Sequence, residues 1–370
     1  MPTLLAERAA LRPTRRSPRH DASRLGARVC PARHRVVATR PRTAPSTAGS
    51  IRSGAVTVNA ASSRPAVATR ADANTPGGER VFVVGATGRI GHMVVDTLSA
   101  RGVQVVAMVR DAGSDRAQSL LALPGGANVI LAVGDLNDSE EALARLLAGC
   151  SACISCSGAS RLTKATDLLA DQYADPRHPY NVNYKGIERL CAAMKTAGCR
   201  RLVRVTVNAL GKSAFFPFTV LLNAVLSMTT KWQYAGENAI RASGVEYTIV
   251  RPPKLVDDDR SSDVHLRLTD RGTSGAGLVS ISRAEVAALV CQAYDHPAAV
   301  NTTLTCKWGE GADGAQEWGP LLQAVTSDAA AEPGVFGPKP FRAAIAAYAT
   351  VAAVMGAVII RGALTLLGAA

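Results

Sequence analysis

The chain has 370 residues, 42 Lys and Arg against 29 Asp and Glu, and 47% apolar residues, a share large enough to build a core and to exclude global disorder. Its formal charge of +13 is concentrated: residues 1–70 hold 14 Arg, no Lys and only Glu7 and Asp21, whereas residues 71–370 carry 28 basic against 27 acidic side chains. A remainder so close to neutral gives no electrostatic ground for binding DNA or RNA, so no nucleic-acid partner is expected.

Residues 1–70 are rich in Arg, Ala, Ser, Thr and Pro, without an apolar h-region or sustained periodicity. This composition reads as an organellar transit peptide outside the fold, for the chloroplast ahead of the mitochondrion. The mature start is expected near Val56–Thr75.

From Glu79 the pattern changes. Val81–Val84 is a short apolar run, Met93, Val94 and Leu98 follow at helical spacing, Gly102 closes that helix, and Val103–Val109 is a second run. Strand, turn, helix and strand within about 30 residues make a βαβ unit. The alternation continues with a strand over Asn128–Val133, a helix over Ser139–Ala148 and a strand over Ala152–Ser157. A helix over Tyr180–Ala197, a strand over Arg201–Val207, a helix over Thr229–Ser243 and a strand over Glu246–Arg251 come next. Short apolar strands alternating with helices predict an α/β fold with a parallel sheet covered on both faces.

Beyond Arg251 the order weakens. Asp257–Asp270 reads as polar turn, Gly277–Ile281 as a short strand, and Ser282–Tyr294 as a helix opened by a Ser282/Glu285 capping box. Thr302–Lys307 is a last strand and Gln316–Ala324 a short helix, so the main domain spans residues 79–327. Residues 328–340 read as a linker. Ala343–Ile360 has no charge and is long enough to span a bilayer. It reads either as a thylakoid or envelope membrane anchor within residues 341–370 or as an Ala-rich helix packed on the protein.

Cys150, Cys153 and Cys156 form a CxxCxxC run across a helix end and a strand. Strand residues alternate faces, so the three thiols do not converge; structural burial is expected, with no metal site.

The strongest chemical signal is Gly85-x-x-Gly88-x-x-Gly91, directly after a strand and opening a helix. Gly85 allows the tight turn, Gly88 lets backbone approach a diphosphate, and Gly91 lets helix and strand pack closely; the amides at the helix head then hold the anion. The second strand ends in Val109-Arg110-Asp111. An acid at that place takes a ribose hydroxyl of NAD(H), whereas a base suits the 2′-phosphate of NADP(H). Arg110, with Arg89 inside the loop, therefore favours NADP(H) over NAD(H).

Gly85-Ala86-Thr87-Gly88-Arg89-Ile90-Gly91, Val109-Arg110-Asp111, Gly134-Asp135-Leu136, Val182-Asn183-Tyr184-Lys185-Gly186 and Tyr247-Thr248-Ile249-Val250-Arg251-Pro252 together resemble the atypical (NmrA-like) short-chain dehydrogenase/reductase family over roughly residues 80–325. The resemblance implies a Rossmann-like, doubly wound parallel sheet of about seven strands, a small C-terminal substrate lobe from about residue 252, and a bound NADP(H). It places Asp135 and Leu136 beside the adenine, Ser155, Cys156 and Ser157 along the cofactor, and Thr206–Asn208 near the nicotinamide.

Carbonyl reduction needs a proton donor, which the parent superfamily supplies with a Tyr-x-x-x-Lys pair. None of the seven Tyr has Lys four residues on. Lys231 stands where the resemblance puts the Lys that holds the ribose, and Tyr234 follows one turn later as a candidate donor. Phe215–Leu222, with three of the six Phe, suits core packing, an apolar ligand or a protein or membrane partner. Two readings remain: a weakly catalytic or non-catalytic, redox-responsive plastid assembly factor, or an active NADPH-dependent reductase of an apolar plastid metabolite.

Overall fold

The structure is a computed structural model that describes residues 78–159, 161–164, 173–258, 264–270, 279–310, 317–332 and 334–366. The expected targeting segment and its boundary at Val56–Thr75 lie outside these residues.

In chain order the elements are β1 (Arg80–Val84), α1 (Arg89–Ala100), β2 (Gln104–Val109), α2 (Asp115–Leu121), β3 (Val129–Val133), α3 (Glu140–Leu147), β4 (Ala152–Ser155), α4 (Gly186–Thr196), β5 (Arg201–Val205), α5 (Pro217–Val225) and α6 (Thr229–Ala242). They continue with β6 (Glu246–Arg251), β7 (Lys254–Val256), β8 (Val264–Asp270), β9 (Ser280–Ser282), α7 (Arg283–Asp295), β10 (Thr302–Glu310), α8 (Trp318–Gln323) and α9 (Phe341–Leu366). Eight strands form one sheet in the order β3-β2-β1-β4-β5-β6-β10-β8; β7 and β9 pair separately. All neighbours in the large sheet are parallel except β10 and β8.

The strand residues alternate between two cores because successive side chains leave opposite faces. Val81, Val83, Ile154 and Val203 pack with Val94 and Leu98 of α1 and Leu289 and Val290 of α7. Phe82, Val84, Cys153 and Leu202 pack with Leu143 and Leu147 of α3 and Leu190 and Met194 of α4. Both faces are covered, which is why the strands read as near-continuous apolar runs.

Two expectations are corrected. Residues 264–270 are not turn but the antiparallel edge strand β8, registered through Cys306↔Leu268 and Trp308↔Leu266. With it the described sheet has eight strands, in keeping with the expected doubly wound sheet of about seven. The helix expected from Tyr180 starts as a π-helical segment over Tyr180–Lys185 and becomes α-helical only at Gly186. Within the expected linker 328–340, several described residues make contacts with the rest of the fold. Asp328 accepts from the Thr303 amide at 3.0 Å and from the Tyr247 hydroxyl at 2.9 Å. Further along, Asn238 Nδ2 donates to the Phe336 carbonyl at 3.2 Å and Lys339 Nζ to the Lys212 carbonyl at 2.9 Å.

Helix α9 is held at its start. Phe341 and Ala344 are buried with Val220 of α5 and Tyr234 of α6, and the Tyr348 hydroxyl donates to the Phe215 carbonyl at 3.0 Å. Val351, Val354, Met355, Val358, Ile359 and Ile360 are all more than half exposed. The stretch Phe341–Arg361 has a mean hydropathy of 2.2 and is long and apolar enough to cross a bilayer.

Candidate functional site

The sheet order reverses direction between β1 and β4, and a crevice opens there beyond the carboxyl ends of the strands. It holds a cleft of about 1150 Å³, lined by Gly85, Thr87 and Gly88 after β1, Arg110 after β2 and Asp135 after β3.

The glycines are explained by contact. Gly85 has φ of +78°, and a Cβ there would stand 2.9 Å from the Ser157 amide nitrogen. A Cβ on Gly91 would stand 2.1 Å from the Gly85 carbonyl oxygen, so α1 packs on the turn only without one. The Gly88 amide donates to the Gly85 carbonyl at 3.0 Å, and Gly88 caps α1 without a side chain to take up its first amides. The head of α1 is thus a backbone cradle for an anion. Ile90 faces away from the cleft and packs on the core.

Cations gather around this cradle. Arg110 lines the cleft, and so does Arg116 from the first turn of α2. The Asp111 carboxylate accepts from the Gly113 amide at 2.8 Å and serves its own turn. Across the cleft Arg161 and Lys164 join its lining and pair with Asp175 at 3.0 and 3.2 Å. The Arg177 amide, then Lys164 and Arg161, hold the Asp175 carboxyl well below its ordinary range despite an opposing desolvation. Sequence reasoning missed Arg116, Arg161 and Lys164, because nothing in their spacing ties them to the glycine loop.

Asp135 is preorganised: its side chain accepts from the Asn137 amide at 2.9 Å and Asn137 Nδ2 at 2.7 Å. Leu136, Cys156 and Ser157 also line the cleft. Ser155 is fully buried behind them, 3.2 Å from the Ser157 hydroxyl. Burial pushes the Cys156 thiol up to about 12, and Cys150 to about 11, so neither is a thiolate near neutrality. Among the described residues no group of His, Cys, Asp and Glu could hold a metal ion.

Other expected residues stand elsewhere. The Arg89 guanidinium is paired with Asp257 at 3.0 Å, and Arg89 is not part of the cleft lining. Lys231 and Tyr234 do not line it either. Lys231 Nζ lies 4.1 Å from the centre of the Trp232 ring, and burial lowers its pKa. The Tyr234 hydroxyl donates to the Gly337 carbonyl at 2.8 Å, under the segment that leads to α9. Thr206 donates to Glu237 at 2.8 Å, and Asn208 is buried in a short 3₁₀ turn. Phe215 and Phe218 are exposed near α9 and outside the cleft lining.

The family model described as NAD(P)H-binding matches residues 85–297. An uncharacterized chloroplastic protein of Arabidopsis thaliana, At2g34460, is 28% identical over 218 residues, covering 58% of this chain and 71% of the relative. The chloroplastic protein TIC 62 of Pisum sativum is 30% identical over 231 residues, covering 58% of this chain but only 40% of the pea protein. Among solved structures, a protein from Bacillus halodurans assigned as an NAD-dependent epimerase/dehydratase superposes with a TM-score of 0.52 at 20% identity, covering 66% of this chain and 99% of that one. The oxidoreductase ylbE of Lactococcus lactis gives 0.50 at 17% identity, covering 66% and 95%. At these identities the structures attest the fold alone.

Proposed function

The chain belongs to the NAD(P)H-binding family, as an atypical short-chain dehydrogenase/reductase-like protein, and from that premise we propose that it is an NADP(H)-binding plastid protein with a sensing or assembly role. The observation that carries this reading is the pairing of an anion cradle with Arg110 and Arg116 at the adenosine end of the cleft. The amides at the head of α1 would hold the diphosphate, the two guanidinium groups the 2′-phosphate, and Asp135 with Leu136 the adenine. The chloroplast relatives and the Arg-rich N-terminal stretch support the plastid. Bound NADPH supplies hydride; the chain's own residues supply binding and orientation. The candidate donor Tyr234 gives its hydroxyl to the Gly337 carbonyl, which supports a role other than efficient carbonyl reduction. The exposed apolar length of α9 supports attachment to a thylakoid or envelope membrane.

Titration of the purified protein with NADPH and NADH, followed by assays with plastid quinones, enones and aldehydes, tests the reading. Tight NADPH binding without turnover is expected. Rapid oxidation of NADPH by an apolar carbonyl would transfer the assignment to a reductase. Gly91→Val, whose side chain cannot coexist with the Gly85 carbonyl, is expected to lose NADPH binding by at least about a hundredfold or to fail to fold.

A further inference from the structure

Arg204 lies on β5 with its guanidinium buried, 1% of the residue being exposed. Its Nη1 donates to the hydroxyls of Ser155 and Ser157, each at 2.7 Å. Among the described residues no carboxylate lies within ion-pair distance of it. The nearby buried acids are already balanced: Glu237 pairs with Arg251 and Arg241, and Asp328 with Arg241. Burial lowers the Arg204 pKa to about 10, so the group stays charged near neutrality. A buried cation without a counter-charge is costly, and its field is poorly screened by solvent.

That charge lies beneath one end of the cleft. Ser157, which holds Arg204, lines the cleft, and its amide lies against Gly85. Arg110 and Asp135 mark the opposite end, beyond β2 and β3. A dinucleotide with its adenosine over β2 and β3 and its diphosphate on the glycine loop carries its nicotinamide half toward β4 and β5. The oxidised and reduced cofactors differ in that half by one positive charge, since the pyridinium ring is cationic and the dihydropyridine ring neutral.

We propose that Arg204 sets the redox-state preference of the cleft, repelling the oxidised cofactor and favouring the reduced one by charge. This rests on the dinucleotide reading above and adds to it a physical basis for redox response. At about 12 Å and an effective dielectric near 20, two unit charges repel by the equivalent of roughly tenfold in an equilibrium constant.

The test is the ratio of the dissociation constants of NADP⁺ and NADPH, by fluorescence titration and competition on the full chain. The wild-type ratio is expected at tenfold or more. Arg204→Gln, which keeps hydrogen bonding without the charge, is expected to bring it to about threefold or less, and Arg204→Lys to retain it. A wild-type ratio near one overturns the proposal without any variant. A folded Arg204→Gln protein that keeps the wild-type ratio overturns it too. Failure of the wild type to bind either form would sink the dinucleotide reading itself, a result distinct from equal binding of both.

Discussion

At the scale of single residues, the proposed preference for NADP(H) rests on two guanidinium groups. Arg110 follows β2 at the position where an acid would accept from a ribose hydroxyl, and the neighbouring Asp111 is committed to the Gly113 amide. Arg116 reaches the same wall from α2 because Ser114 starts that helix only a few residues later. A hydrogen bond to a charged group contributes about 1.5–3 kcal/mol. The double variant Arg110→Ala/Arg116→Ala is therefore expected to weaken NADPH binding by roughly a hundredfold or more while changing NADH binding little. Equal losses for both cofactors in a calorimetric titration would refute this division of roles.

At the scale of elements, a charge network joins α6, β6, β10 and the segment after α8. Asp328 takes the Thr303 hydroxyl at 2.6 Å, the Tyr247 hydroxyl at 2.9 Å and Arg241 Nε at 3.3 Å. Removing one member of a buried pair costs about 3–5 kcal/mol, because its partners stay behind unsatisfied. Asp328→Ala is thus expected to lower Tm by about 6 °C or more in a thermal melt. Glu237 gives the same network a pH dependence. Burial alone would raise its pKa, but Arg251 and Arg241 prevail and hold it at about 2, against 4.5 unfolded. A carboxyl depressed in the fold stabilises above its unfolded pKa, so this contribution is full above about pH 4.5 and is lost as pH falls toward 2. Urea unfolding between pH 6 and pH 3 should show that loss, and Glu237→Gln should reduce it.

At the scale of the whole molecule, α9 has little protein around it. Phe341 and Ala344 of its first turn are buried, while later apolar residues such as Val351 and Ile359 are exposed, as are Phe218 and Leu221 of α5. Leaving so much apolar surface in water is unfavourable by about 25 cal/mol per Å². The full chain is expected to stay in chloroplast membranes through carbonate extraction, and a chain ending at Ala346, which keeps the buried first turn, to be released. Release of both would remove the anchor.

The glycine loop, the alternation of strands and helices, and the cofactor class were legible in the sequence, because each depends on local rules: residue period, turn geometry and backbone access. Helix α7 announced itself through Ser282 and Glu285, whose capping contact the structure forms at 3.1 Å. Three things were settled only by tertiary packing. Strand β8 alternates Val264, Leu266 and Leu268 at strand period, but the edge it joins, and its antiparallel run beside β10, come from the tertiary fold. Asp328 is tied into the fold because it meets Thr303, Tyr247 and Arg241, residues far away in the chain. Arg204 became a buried cation at the cleft because the parallel register sets it beside Ser155. Local chemistry is written in neighbouring letters, whereas the fate of a charge depends on which distant groups surround it and exclude water.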